Sequence, residues 1–369
     1  MRQLKIIATL VGGLLAAVVL GYLALLFINR HDQPPSQDAL HLAELYRDRP
    51  PVVNADNGYL YAMDFPESGD LFDRYRGLLS HSGWRQPKPL EATPRFPTHG
   101  EISQGQELLL LRAAELADSG DIAGVHDLLA EDVRFWRMVL GSSDLLIDKM
   151  IAVVMLDRHF ELANLALRRL SAKRALETMP REWGQELTAP ERSLTRALVG
   201  EWVFVDASFR RTKAGEPAIY RPLFQPQDSS NKLAAILVRA ARDLDVPYEE
   251  YPQVLRHMQA EANQGPAEPG IFADLYNLVG SMTPYVPKAF DYGRYAVRVT
   301  DVEGARRAAV LATILRSKGV SAEDVPAQLA ATEIRDPYTN GPFAWDLKEA
   351  AIVFTGLVPG ERGRHDFKY

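Results

Sequence analysis

The sequence contains no cysteine. That excludes disulfides, thiol nucleophiles and thiolate metal sites. It does not exclude an oxidising compartment, which permits disulfides without requiring them. A chain of 369 residues buries enough surface to fold without such staples. Positive charge is also short: 42 Lys and Arg stand against 48 Asp and Glu. The first 30 residues carry Arg2, Lys5 and Arg30 and no acid, so the rest holds 39 basic against 48 acidic side chains, a net charge of −9. Such a body suits neither nucleic acid nor tight docking on an anionic lipid surface. Compact catalytic signatures are missing as well. The eight histidines form no HExxH, and there is no GxSxG, no glycine-rich phosphate loop and no GxGxxG. The sequence therefore implies no metal and no cofactor.

What is present begins with an uncharged apolar run, Ile6 to Ile28. At about 1.5 Å per helical residue it reaches roughly 35 Å, enough to cross a ~30 Å hydrocarbon core with some tilt. A signal peptide has a shorter apolar region, closed by a small-x-small cleavage site. This run ends in Leu-Phe-Ile-Asn-Arg, so the reading is a retained single-pass anchor. Arg2 and Lys5 ahead of it favour a cytoplasmic N-terminus, which in a bacterial inner membrane leaves the body in the periplasm; Arg30 reduces that asymmetry. Gly12, Gly13, Ala16, Ala17 and Gly21 place small residues four apart, and the face Gly13, Ala17, Gly21 would let two spans pair closely as a homodimer.

The expected organisation is an anchor with its cytoplasmic tip over 1–30, a Pro-rich stalk over 31–53, a small Pro-rich segment over 54–100 packed on the body, and a helical body over 101–369. Asn54 to Tyr61 reads as a turn entering a short extended segment. Helical spacing is strong after Gln106. Asp121 caps a helix carrying Ile122 to Trp136, Leu145–Leu156 is apolar nearly all round, and a further helix runs Phe160–Leu170. Thr188-Ala-Pro-Glu191 is a capping box that opens Ser193–Val205. Further helices fit Lys232–Leu244, Tyr251–Ala262, Ile271–Ser281 and Val302–Ser317. Phe343-Ala-Trp345 and Ala351 to Phe354 suggest a hairpin near 343–354. The fold class is mainly α: an N-terminal transmembrane helix, then an irregular multi-helix bundle with a small C-terminal β-hairpin.

Asp148 and Lys149 interrupt the helix expected to be most buried. Neighbours about 100° apart need separate partners, and Arg134 and Arg137 on the preceding helix are placed to meet Asp148. A buried charge must be paired, and pairing shifts pKa values. These four residues are the candidate polar site. Tyr59, Tyr61, Tyr285 and Tyr292 are the candidate partner surface. Ser229-Ser-Asn-Lys232 matches S-x-x-K without its partner motifs, and a helix start explains it. Asp157-Arg-His159-Phe-Glu161 groups three ligand types, but the i, i+2, i+4 spacing does not aim them one way.

Pro50-Pro51 with Asn57-Gly58-Tyr59, Glu191-Arg-Ser-Leu194 with Ala197-Leu198 and Gly200-Glu201, Asn277-Leu-Val-Gly280, and Asp336 to Phe343 behind the last helix form a scattered set of motifs. Together they resemble a group of proteobacterial single-span, membrane-anchored, mostly helical envelope proteins. The resemblance implies the architecture and no activity. The last motif is also similar to the tail of type II pseudopilins. Those proteins carry a Glu near the start of the apolar helix, and this chain does not, so their function is not carried over. The expectation is an anchored body that binds an envelope protein as scaffold, accessory subunit or toxin-neutralising partner. The alternative is an envelope hydrolase whose acid and base groups meet only in the fold, which would show as a deep pocket holding titratable groups with shifted pKa values.

Overall fold

The computed structural model describes residues 2–86, 96–264, 275–281 and 289–369. Its first helix, α1 (Arg2–Ile28), is long and apolar enough to cross a membrane, and its apolar window is not buried by the rest of the chain. A Cβ built on Gly12, Gly13 or Gly21 meets nothing within 4 Å.

The body is mainly α-helical. α2 (Gln37–Arg47), α3 (Gly58–Met63) and α4 (Leu71–Leu79) precede three long neighbours, α5 (His99–Ser119), α6 (Ile122–Ser142) and α7 (Leu146–Leu167). The side chain of Asp121 caps α6, accepting from Gly124 N at 3.0 Å. α8 (Ala172–Thr178) and α9 (Ala189–Arg192) are short, and α9 starts with the full Thr188–Glu191 capping box. α10 (Thr195–Gly215) and α11 (Pro226–Asp243) pair with each other and with α2. α12 (Tyr251–Gln264), α13 (Leu278–Ser281), α14 (Ala289–Ser317) and α15 (Val325–Ala331) complete the helices. α14 packs on α7, α8, α11 and α12.

Several boundaries differ from the sequence reading, each for a local reason. α7 runs unbroken through Asp157-Arg158-His159, because Arg158 reaches Ser103 Oγ at 2.7 Å and His159 reaches Asp132 at 2.7 Å. Side-chain partners on other helices remove the need to bring those polar groups to solvent. The segment expected to be extended is helical over Gly58–Met63: Asn57 Oδ1 accepts from Tyr59 N at 3.2 Å and caps α3. α10 continues past Val205, and Arg210 pairs with Asp206 one turn back at 2.9 Å. Residues 271–274 of the expected helix lie outside the described residues.

The stretch 31–53, read as a stalk, lies on the body as a strap. Asp32 accepts from Gln227 N and Asp228 N at 2.9 and 3.1 Å, and so caps α11 from outside that helix. Asn231 donates to Pro34 O and accepts from Ser36 N. Ala39 and Leu42 are buried, and Arg49 pairs with buried Asp144 at 2.7 Å. Two Pro pairs stiffen the strap without projecting it.

The C-terminal hairpin is present as β1 (Ala344–Asp346) and β2 (Ala351–Thr355), antiparallel, with Trp345 opposite Ile352. A third strand, β3 (Arg364–Lys368), pairs with the other edge of β2, with Ile352 opposite Phe367. Its charges hid it from sequence reading, yet it alternates: His365 and Phe367 are buried, and Arg364 is exposed. The sheet sits on α14, where the Phe354 ring occupies the space that a Cβ on Gly304 would need, 2.0 Å away. Only glycine permits that approach.

Candidate functional site

The four residues expected to form one polar site separate into three environments. Arg137 does not meet Asp148. It pairs with Glu191 at 2.7 Å and donates to the carbonyls of Glu182, Gln185 and Glu186. Lys149 converges on the same turn, donating to Leu140 O at 2.6 Å and Glu191 O at 2.9 Å. Burial pushes the Lys149 ammonium down to about 7, with Glu191 opposing. These two side chains hold α9 against the central helices. Arg134 instead lines a surface cleft of about 600 Å³ with Arg76, His81 and Glu131, across which Arg76 and Glu131 pair at 2.8 Å.

Asp148 stands apart. It is buried, and neither carboxylate oxygen has a hydrogen-bond partner. Burial, reinforced by Asp144 and Glu201, pushes it up to about 7. The carboxyl is walled in, so its shifted pKa serves no open pocket.

Sequence reading missed a second buried polar network. Asp132 on α6 accepts from Tyr75 Oη, from Gln106 Nε2 at 3.0 Å and from His159 Nδ1 at 2.7 Å. Trp183 Nε1 donates to His159 Nε2 at 2.9 Å, which assigns the histidine proton to Nδ1. Trp136 Nε1 donates to Tyr75 Oη at 2.7 Å. Asp132 and His159 are fully enclosed, so the network locks α4, α5, α6 and α7 together and offers no reacting atom to solvent. Residues from 75 to 183 contribute, and no local spacing signals it.

The expected aromatic surface is not assembled. Tyr59 is buried edge-on against Trp84, with ring centroids 5.4 Å apart, and Tyr292 is buried. Tyr61 is half-buried between Phe65 and His81. Tyr285 lies outside the described residues. Helical spacing at 58–63 turns Tyr59 into the core. The S-x-x-K pair is also unformed: Ser229 Oγ accepts from Asn277 Nδ2 at 2.8 Å, and Lys232 pairs with Asp228 at 2.7 Å.

The feature best suited to a ligand is a cleft of about 710 Å³ between α12, α14 and the loop after β2. Arg256, Arg294, Arg298 and Arg362 line it, over a floor that includes Leu255, Val297, Leu357 and Val358. Arg256 and Arg294 come from neighbouring helices, Arg298 lies one helical turn beyond Arg294, and Arg362 comes from the loop. Among the described residues no carboxylate pairs with Arg256, Arg298 or Arg362. In a body of net charge −9 this is a concentrated positive site. Asp301, one turn further along α14, fixes the loop wall. It accepts from Tyr338 Oη at 2.6 Å, Leu357 N at 3.0 Å and Val358 N at 3.1 Å. Burial pushes Asp301 up, against the pull of these three donors. Gly356 lets the loop come this close, since a Cβ there would stand 2.3 Å from Asp301 Oδ2. Arginine forks over an apolar floor suit a carboxylate- or phosphate-bearing ligand that also carries apolar groups. Comparisons with protein-family models, curated proteins and solved structures find no match.

Proposed function

We propose that this chain is a single-pass inner-membrane protein, N-terminus in the cytoplasm and body in the periplasm, whose body binds an envelope protein through an acidic segment received in the four-arginine cleft. The cleft carries the proposal: guanidinium groups from two helices and a loop share one apolar floor, and among the described residues no carboxylate pairs with Arg256, Arg298 or Arg362. The apolar α1 and the basic residues Arg2 and Lys5 support the location. An acidic segment with interspersed apolar side chains complements both the charge and the floor, and an arginine-rich contact of this kind weakens with salt.

The test is affinity capture from detergent-solubilised membranes, with wild-type protein beside the double variant Arg256→Glu, Arg298→Glu. Both positions are exposed, so the fold is not at risk. The wild type should retain one stoichiometric partner, less of it as salt rises, and the variant should lose it. Recovery of no stoichiometric partner, or equal recovery by both proteins, overturns the proposal.

A further inference from the structure

The body is joined to α1 with no slack, and that junction brings a second element to the level of the anchor. Asn29 directly follows the helix and is buried. Its Nδ2 donates to Leu275 O at 2.8 Å, its Oδ1 accepts from Asn277 N at 2.7 Å, and its carbonyl accepts from Gln225 Nε2 at 2.6 Å. Tyr276 Oη donates to His31 O at 3.1 Å. Further down the helix, Tyr22 Oη donates to Ile219 O at 2.8 Å.

Ile219 belongs to the loop between α10 and α11, whose tip, Pro217-Ala-Ile-Tyr220, is uncharged and exposed. Ile219 and Tyr220 are 54% and 52% exposed, side by side at the tip. Lipid must reach at least as high on α1 as Leu23 and Phe27, which are 53% and 67% exposed. Tyr22 lies six residues below Ile28, about 9 Å along the axis. The loop tip is therefore held beside the anchor at a depth where lipid begins. Charge agrees. Arg210, Arg211, Lys213 and Arg221 flank the tip against Glu216 and Asp206, the latter paired with Arg210, a local excess of two positive charges in an otherwise acidic body. Cations above an apolar tip match anionic headgroups above acyl chains.

We propose that residues 217–220 form a second membrane contact, dipping Ile219 and Tyr220 into the interface of the bilayer that α1 crosses, with the flanking basic residues on the headgroups. The proposal rests on α1 being a membrane span. It is compatible with a net charge that disfavours tight docking of the whole body on an anionic lipid surface, because the charge is distributed unevenly.

The absence of cysteine allows a clean test. Single variants Leu15→Cys, Ile219→Cys and Leu347→Cys, all at exposed positions, are labelled with an environment-sensitive fluorophore in the full chain, reconstituted in vesicles containing phosphatidylglycerol. Lipid-borne nitroxide should quench Leu15→Cys from the acyl region and Ile219→Cys from the headgroup region. Leu347→Cys, on the β1–β2 turn, should respond only to water-soluble quencher. If Leu15→Cys is quenched by lipid and Ile219→Cys behaves like Leu347→Cys, the loop contact is wrong and the anchor stands. If Leu15→Cys is not quenched by lipid, the anchor reading falls and takes the loop contact with it.

Discussion

At the scale of single residues, burial without a partner decides more than charge type. Asp132 and Asp148 are both enclosed carboxylates on neighbouring helices, but Asp132 has three donors and Asp148 none. Asp148 therefore titrates near 7 instead of 3.8. Its folded-state pKa lies above the unfolded one, so the folded protein holds the proton longer. Below about pH 4 both states are protonated and the group is neutral to stability. As pH rises from 4 to 7 the unfolded state ionises first, and stability falls until the buried group ionises too. Asp148→Asn should therefore melt higher than wild type at pH 8, by an amount on the order of 2–4 kcal/mol. The gain should shrink towards zero near pH 4, as followed by tryptophan fluorescence during thermal melting in detergent. A gain independent of pH would rule out ionisation of Asp148 as the cause.

At the scale of elements, the sequence displayed helices well and their side-chain partnerships poorly. The capping box at Thr188, the Asp121 cap and the hairpin near 343–354 were legible because each depends on neighbours along the chain. The expected Asp148–Arg137 pairing is absent because Arg137 pairs with Glu191, distant in sequence, at 2.7 Å. The arginine cleft was invisible for the same reason. Its residues come from 256, 294, 298 and 362, each an ordinary surface arginine in its own segment. Asp301 is the hinge of that cleft, since one carboxylate holds the backbone of Leu357 and Val358 to α14. Asp301→Ala should cost about 2–3 kcal/mol, the penalty for stranding buried donors. It should also weaken capture of the partner although it removes no arginine. Unchanged capture, with stability reduced, would mean that the loop wall does not contribute to binding.

At the scale of the whole molecule, the anchor was the plainest feature of the sequence, while its rigid attachment was not visible there. Pro pairs at 34–35 and 50–51 read as a projecting stalk because proline stiffens an isolated chain, and only the fold supplies the surface that captures it. Asn29→Ala removes the side-chain bonds to Leu275 and Asn277 and leaves the carbonyl bond to Gln225. Loosening of about 1–2 kcal/mol should raise tryptic cleavage after Arg30 by roughly tenfold in reconstituted vesicles. Equal cleavage of variant and wild type would show that the strap alone holds the junction. The clamped strap also determines how the protein searches for partners. A body on a flexible tether samples a hemisphere, and its effective concentration falls with the volume swept. This body has no such volume. With α1 spanning a membrane as proposed, its cleft would travel at one height and in one orientation above the bilayer, and encounters would reduce to lateral diffusion in a plane. A partner of the proposed kind, confined to the same membrane with its acidic segment at that height, would meet the cleft at a high local concentration, whereas one held further from the bilayer would not meet it at all.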